Sequence, residues 1–233
     1  MLTGEGGVGM TGPQSTAWAE ERRARVLEAH VAELNALVQT WRQEEPERVV
    51  PWFDPADGGT TASVLLLLES PAPSTTSSAG SHLCSEDNAD ATNRLLRSRR
   101  LAAGLPRSAC VKWNAVPWAS TTPHRAPDLA RAASRLRQVL AHLPRLQVVI
   151  TFGGTAAAVL ATASTQADPP VLLPALAVPH PSQRNTRARQ EALERIDRAL
   201  TCAAGLVRSP LVLGALADRP SAPRCEAGTS ARS

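Results

Sequence analysis

Along the first part of the chain the apolar positions Leu27, Val31, Leu34, Leu37, Val38 and Trp41 recur at helical spacing, with charged residues on the opposite side. That period predicts an amphipathic N-terminal helix over residues 16–43. Pro46 to Gly59 contains three prolines and the pair Gly58-Gly59, so it reads as a connection. Beyond it the pattern changes to short uninterrupted runs at Ser63–Leu68, Cys110–Asn114, Gln147–Phe152 and Leu176–Val178, each followed by a polar loop and a helical period. The helices predicted after them span 90–103, 127–142, 155–163 and 185–204. Strands that lack alternation and are separated by helices belong in a parallel sheet covered on both faces. The expected fold class is α/β: three-layer α/β/α with a central four-stranded, mostly parallel sheet. One domain, residues 15–206 with its motif-bearing core at 60–204, should contain it. Residues 1–14 are Gly-rich and 207–233 carry several Pro without a sustained period, so the first is expected to be a disordered tail and the second a flexible one.

The chain of 233 residues is 43% apolar, enough for a real core and too much for global disorder. Its longest aliphatic run, Val64–Leu68, falls far short of the ~18 residues of a membrane span, and Met1–Pro13 lacks the charged start and apolar stretch of a secretory leader. A cytoplasmic protein with no membrane contact is expected. Cys84, Cys110, Cys202 and Cys225 are scattered without the close pairs of a zinc or iron-sulfur site, so they read as free thiols and no metal is implied. The 25 basic residues comprise 24 Arg and one lysine, Lys112, a bias that fits GC-rich coding as well as any function.

The net charge of +4 conceals a gradient, because residues 1–90 hold 14 acids and 5 bases whereas residues 91–167 hold Asp128 alone against 11 bases. A basic interval of that kind suggests a surface facing an anion, nucleic acid first, with ordinary solvated helix faces as the alternative. Much of the acid of residues 1–90 is then expected on the N-terminal helix, away from that surface.

In open α/β sheets, ligands bind outside the carboxyl ends of the strands. Those ends carry Glu69-Ser70-Pro71, Lys112-Trp113-Asn114, Gly153-Gly154 and His180-Pro181-Ser182, so Glu69/Ser70, Asn114 and His180/Ser182 should converge on one cleft. The chain contains no G-x-S-x-G, G-x-x-x-x-G-K or G-x-G-x-x-G, which removes nucleophile elbow, P-loop and dinucleotide fingerprint.

The order of these clusters resembles the uracil-DNA glycosylase superfamily over roughly residues 60–204. Val64 to Ala72 (VLLLLESPA) is similar to the family's first motif, closest to the Gly-Glu-Ala-Pro-Gly type of the bacterial and archaeal branches. Lys112 to Trp118 (KWNAVPW) is similar to the segment whose Asn reads uracil, Val149 to Ala156 to the third strand-to-helix turn, and Val178 to Ser182 to the final His-Pro-Ser motif. The resemblance implies a monofunctional glycosylase of base excision repair, acting on uracil-containing DNA as a monomer and without cofactor.

It also implies roles. Asn114 would read the flipped base, since its amide offers an acceptor and a donor side by side to match N3–H and O4, a pattern that cytosine reverses. His180 would aim a donor at the charge developing on O2. Glu69 would orient water or support the sugar cation, and Ser70, Pro71 and Leu83 would line the substrate pocket. Ser182 matches the position that meets a phosphate, with Gln183, Arg184 and Arg187 beside it as DNA contacts. Arg94, Arg97, Arg99, Arg100, Arg107 and Lys112 would extend the basic surface. Three departures are visible: Ser70 stands where a water-orienting Asp or Asn is frequent, Leu83 where an aromatic would stack on the base, and the cysteine quartet of the iron-sulfur branches is missing. Trp113 and Trp118 bracket the second motif and could help with stacking, although core packing is the commoner fate of such residues. The alternative is a catalytically weak or inactive glycosylase-like protein that binds DNA or a partner through the same cleft.

Overall fold

The computed structural model describes residues 14–120, 124–166, 168–181 and 189–209. Both predicted tails, apart from residue 14 and residues 207–209, lie outside these, as do Ser182, Gln183, Arg184 and Arg187.

Four short apolar runs form the sheet: β2 (Val64–Leu68), β4 (Cys110–Asn114), β5 (Val148–Phe152) and β6 (Ala175–Val178). All pair in parallel, in the order β4-β2-β5-β6. The first three are buried at every position because helices cover both faces. With a side-chain period of two, Leu65, Leu67, Val111, Trp113 and Val149 point to one layer. That layer is formed by α2 (Ala29–Glu44), α5 (Ala126–Ala141) and α6 (Gly154–Thr165). Val64, Leu66, Leu68, Val148, Ile150 and Phe152 point to the other, where α4 (Ala91–Ala102) and α7 (Arg189–Arg208) pack. The architecture is the three-layer α/β/α sandwich expected.

Three local features differ from the expectation. The N-terminal helix is two helices, α1 (Gln14–Ala24) and α2, separated by a turn in which Glu28 N–H bonds the Arg25 carbonyl at 3.0 Å. Leu27, expected on the apolar face, sits in that turn and is 79% exposed. The break lets Arg22 reach Asp54 at 2.8 Å and Asp87 at 3.3 Å, pairings that one straight helical period does not reveal. Next, β1 (Trp52–Phe53) and β3 (Leu83–Cys84) form a second, two-stranded parallel sheet. A four-residue helix, α3 (Pro73–Thr76), also interrupts the loop after β2.

The Gly58-Gly59 connection is dictated by crowding. Gly59 has φ +54°, and a Cβ there would fall 1.9 Å from the His30 carbonyl oxygen, so the chain passes under α2 only as glycine.

Candidate active site

At the carboxyl ends of β2 and β4 the ladder continues past the strands: Ala115 N–H donates to the Leu68 carbonyl at 2.8 Å and Val116 N–H to the Glu69 carbonyl at 2.9 Å. This fixes Glu69 beside Asn114, whose strand neighbour is Leu68. On the other side of β2, Gly153 N–H donates to the Val178 carbonyl at 2.8 Å, which ties the start of α6 to the end of β6 and brings His180 to the same edge. A cavity of about 380 Å³ opens there, in the size range of small-ligand pockets. Glu69, Ser70, Pro71, Leu83, Asn114 and His180 all line it. Six residues chosen from four separate stretches of sequence therefore share one cavity.

Asn114 is buried to 3% exposure and its Nδ2 donates to Cys84 Sγ at 3.4 Å. That contact fixes which end of the amide faces β3. Burial pushes the Cys84 thiol up to about 11, so it meets Asn114 as a neutral sulfur. Burial also lowers the His180 imidazole below its ordinary range, against the opposing pull of Glu69 and Asp90. Near neutral pH His180 is thus an uncharged ring with one N–H to donate.

Asp90, the first residue of the helix predicted over 90–103, lines the cavity too. As N-cap of α4 it accepts from Asn93 N–H at 2.9 Å, with the Asn93 amide donating to its other oxygen at 2.5 Å. Its closeness to His180 depends on the loop after β3, which local pattern does not report. Lys112 and Cys84 are two further lining residues that the sequence left unassigned to the pocket.

Both tryptophans of the second motif belong to the core. Trp113 points to the face opposite Asn114 and stacks on Phe53, with ring centroids 3.6 Å apart, while Trp118 is buried beneath the Arg48 guanidinium at 4.3 Å. Neither lines the cavity, and among the described residues no Phe or Trp does. Leu83 is fully buried in its floor.

The expected basic surface is corrected. Arg107 bonds Asp54, Asp57 and Asp87 at 2.6 to 2.7 Å, and buried Arg100 makes a two-pronged pair with Glu86. Arg97 pairs with Asp87, Arg99 with Asp197, and Arg131 and Arg135 with Glu44 and Glu45. Lys112 is 5% exposed and lies in the pocket. Much of the cationic interval is thus neutralised within the fold by acids of residues 1–90: Glu44 and Glu45 at the end of α2 hold Arg131 and Arg135, while Asp54, Asp57, Glu86 and Asp87, which lie beyond the N-terminal helices, hold Arg97, Arg100 and Arg107. Charge counts along a sequence cannot separate pairing from display.

The described residues hold no group of three His, Cys, Asp or Glu arranged for a metal ion, and no helix long and apolar enough to cross a membrane. Cys84, Cys110 and Cys202 are free thiols, and Cys225 lies outside the described residues. Compared with known proteins, the chain matches the family model described as the uracil DNA glycosylase superfamily over residues 55–201. No curated protein matches it.

Proposed function

The chain belongs to the uracil-DNA glycosylase superfamily, and from that premise we propose that it removes uracil from DNA by hydrolysis, as a monomer in the cytoplasm. The observation that carries this reading is the meeting of Asn114, His180 and Glu69 in one cavity at the strand ends.

The substrate is a nucleotide turned out of the stack. Asn114 Oδ1 accepts N3–H and Nδ2 donates to O4, while the Cys84 sulfur holds the amide in that sense. Cytosine offers an acceptor at N3 and a donor at position 4, so binding it would bury two mismatched pairs. As the bond between N1 and C1′ breaks, its electron pair leaves with the base, and the uncharged His180 ring donates to O2 as negative charge gathers there. Glu69 orients a water whose oxygen bonds to C1′ and whose proton it accepts. The products are an abasic site and the uracil anion, which becomes free uracil on taking a proton from solvent while Glu69 returns its own to solvent. No step calls for a metal or cofactor. Ser182, Gln183, Arg184 and Arg187 are assigned to the DNA backbone and to the gap left by the flipped base.

A second reading, a binding protein with weak or no catalysis, is favoured by one feature: Leu83 gives the pocket no aromatic platform, and Ser70 stands where a water-orienting Asp or Asn is frequent. The two readings part in one assay. Incubated with a labelled uracil-containing oligonucleotide, the enzyme yields alkali-labile sites, and His180→Ala and Asn114→Ala each slow this by about 100-fold or more. Cleavage that survives both substitutions removes the role assignment, and binding without cleavage establishes the second reading.

A further inference from the structure

The chain uses arginine for every cation but one, and that one, Lys112, is buried in the wall of the pocket. It shares a strand face with Asn114, two residues along β4, about 6.5 Å at the usual strand rise. The two side chains converge on one atom: Cys84 Sγ lies 3.4 Å from Asn114 Nδ2 and 3.7 Å from Lys112 Nζ. The other hydrogen-bond partner of Nζ among the described residues is the Ser85 carbonyl oxygen, at 3.4 Å. An ammonium has three donors and no acceptor, and here it meets two distant, uncharged acceptors. Asp57 bonds Arg107 through one oxygen and the Lys112 backbone N–H through the other, Glu86 pairs with Arg100, and among the described residues the Lys112 ammonium forms no ion pair. A cation taken out of water without a counter-charge is strongly disfavoured, yet this one opens onto a cavity that on the reading above receives a base leaving as an anion.

We propose that Lys112 is a specificity-determining residue of the base pocket, placing a positive charge at the O4 end of bound uracil while His180 serves O2. The assignment rests on the reading of Asn114 as the residue that meets N3–H and O4. It is Nδ2 of Asn114, the O4 donor, that faces Cys84, and Lys112 approaches the same sulfur, so Lys112 lies on the O4 side of the amide. When the glycosidic electron pair passes to the base, the charge is shared between O2 and O4, and donors at both ends stabilise it without any covalent bond to Lys112. Cytosine would bring an amino group to the ammonium, donor against donor, a second rejection beyond that of Asn114. An arginine would fill this space with a planar fork, which accounts for the single departure from arginine usage.

Lys112→Met in the full chain tests the proposal through single-turnover cleavage of DNA carrying uracil, 2-thiouracil or 4-thiouracil, sulfur being the weaker acceptor. The uracil rate should fall about 10- to 100-fold. The penalty for 4-thio substitution should shrink relative to wild type, the penalty for 2-thio substitution should stay the same, and the melting temperature should not drop, because an unpaired charge has been removed. Equal penalties at both positions in both proteins overturn the assignment, whatever the rate or stability. Equilibrium binding of the free bases uracil, 2-thiouracil and 4-thiouracil separates this from failure of the glycosylase reading. Discrimination at position 4 that depends on Lys112 in a protein that does not cleave upholds the contact and removes the enzyme. Cleavage in which Lys112→Met leaves the 4-thio penalty unaltered keeps the enzyme and removes the contact.

Discussion

The side chain of His180 rests on the backbone of Gly153, so that a Cβ at position 153 would stand 3.3 Å from the His180 Cβ and 3.8 Å from its Cδ2. Gly153 also has φ 96° and ψ 167°, a region open essentially to glycine alone. The turn from β5 into α6 is therefore shaped to admit the histidine arriving from β6.

Gly153→Ala should have two separable effects. The backbone strain should lower stability by about 1–3 kcal/mol, read from chemical denaturation. The added methyl should displace His180 and slow cleavage further than Gly154→Ala, where a Cβ meets nothing within 4 Å. Equal rates for the two variants, each measured well below its melting point, would exclude a positioning role for Gly153.

The His180 ring titrates below its ordinary value because burial disfavours the cation more than Glu69 and Asp90 favour it. In the unfolded chain the same ring takes up its proton near pH 6.5. Between that value and the lower one of the folded state, the unfolded chain binds more protons, so stability rises with pH there. The prediction is a stability that His180 leaves unaffected above about pH 7 and that declines as the pH falls through the unfolded value, by at most one proton's slope. Denaturation curves of wild type and His180→Gln compared across pH read this directly, and parallel curves would show that the ring is not buried as an uncharged group.

Three of the four parallel strands were legible because a strand buried on both faces needs an uninterrupted apolar run, and few other segments supply one; β6, at the sheet edge and partly exposed, was legible from its short apolar run before His180-Pro181. The pocket residues followed, since strand ends in such a sheet point to one edge. Even the fate of Trp113 is implicit in the period of two that sets it opposite Asn114. What pattern could not show was set by distant partners. The break between α1 and α2 is tied to Arg22 finding Asp54, and β1 and β3 are two residues each, too short for any period. Lys112 and Arg100 read as surface cations until the fold placed one in the pocket and the other against Glu86.

Arg107 is the centre of the buried charge network, within 2.7 Å of Asp54, Asp57 and Asp87. Arg107→Ala leaves buried Asp57 without its cation, while Asp54 keeps Arg22 and Asp87 keeps Arg22 and Arg97, and should cost about 3–5 kcal/mol, whereas Arg131→Ala, half exposed beside Glu45, should cost under about 1 kcal/mol. Burial already pushes the Asp57 carboxyl up to about 7 against the pull of Arg107, and removing that pull raises it further. A folded value above the unfolded one gives stability that is present in acid and lost as pH rises through the folded value. The defect of Arg107→Ala should therefore be smaller at pH 5 than at pH 8, and thermal melting at the two values tests it.

Because so many cations are matched internally, the contribution of an arginine to DNA binding should follow its pairing and not its place in the basic interval. Arg131 and Arg135 are held by Glu44 and Glu45, so removing either should leave affinity for a uracil-containing oligonucleotide and its salt dependence close to wild type. Arg94 is exposed on the first turn of α4, next to the pocket residues Asp90 and Asn93, and among the described residues its guanidinium bonds only the Ala89 carbonyl oxygen. A cation with no carboxylate partner among the described residues, at the pocket's edge, is available to a phosphate. Arg94→Ala should weaken binding to all sequences alike and reduce the slope of log affinity against log salt by about 1. Measured between 50 and 200 mM salt, the range over which phosphate contacts are most visible, an unaltered slope in Arg94→Ala together with a reduced one in Arg131→Ala would reverse the assignment and place the DNA on the α5 side of the sheet.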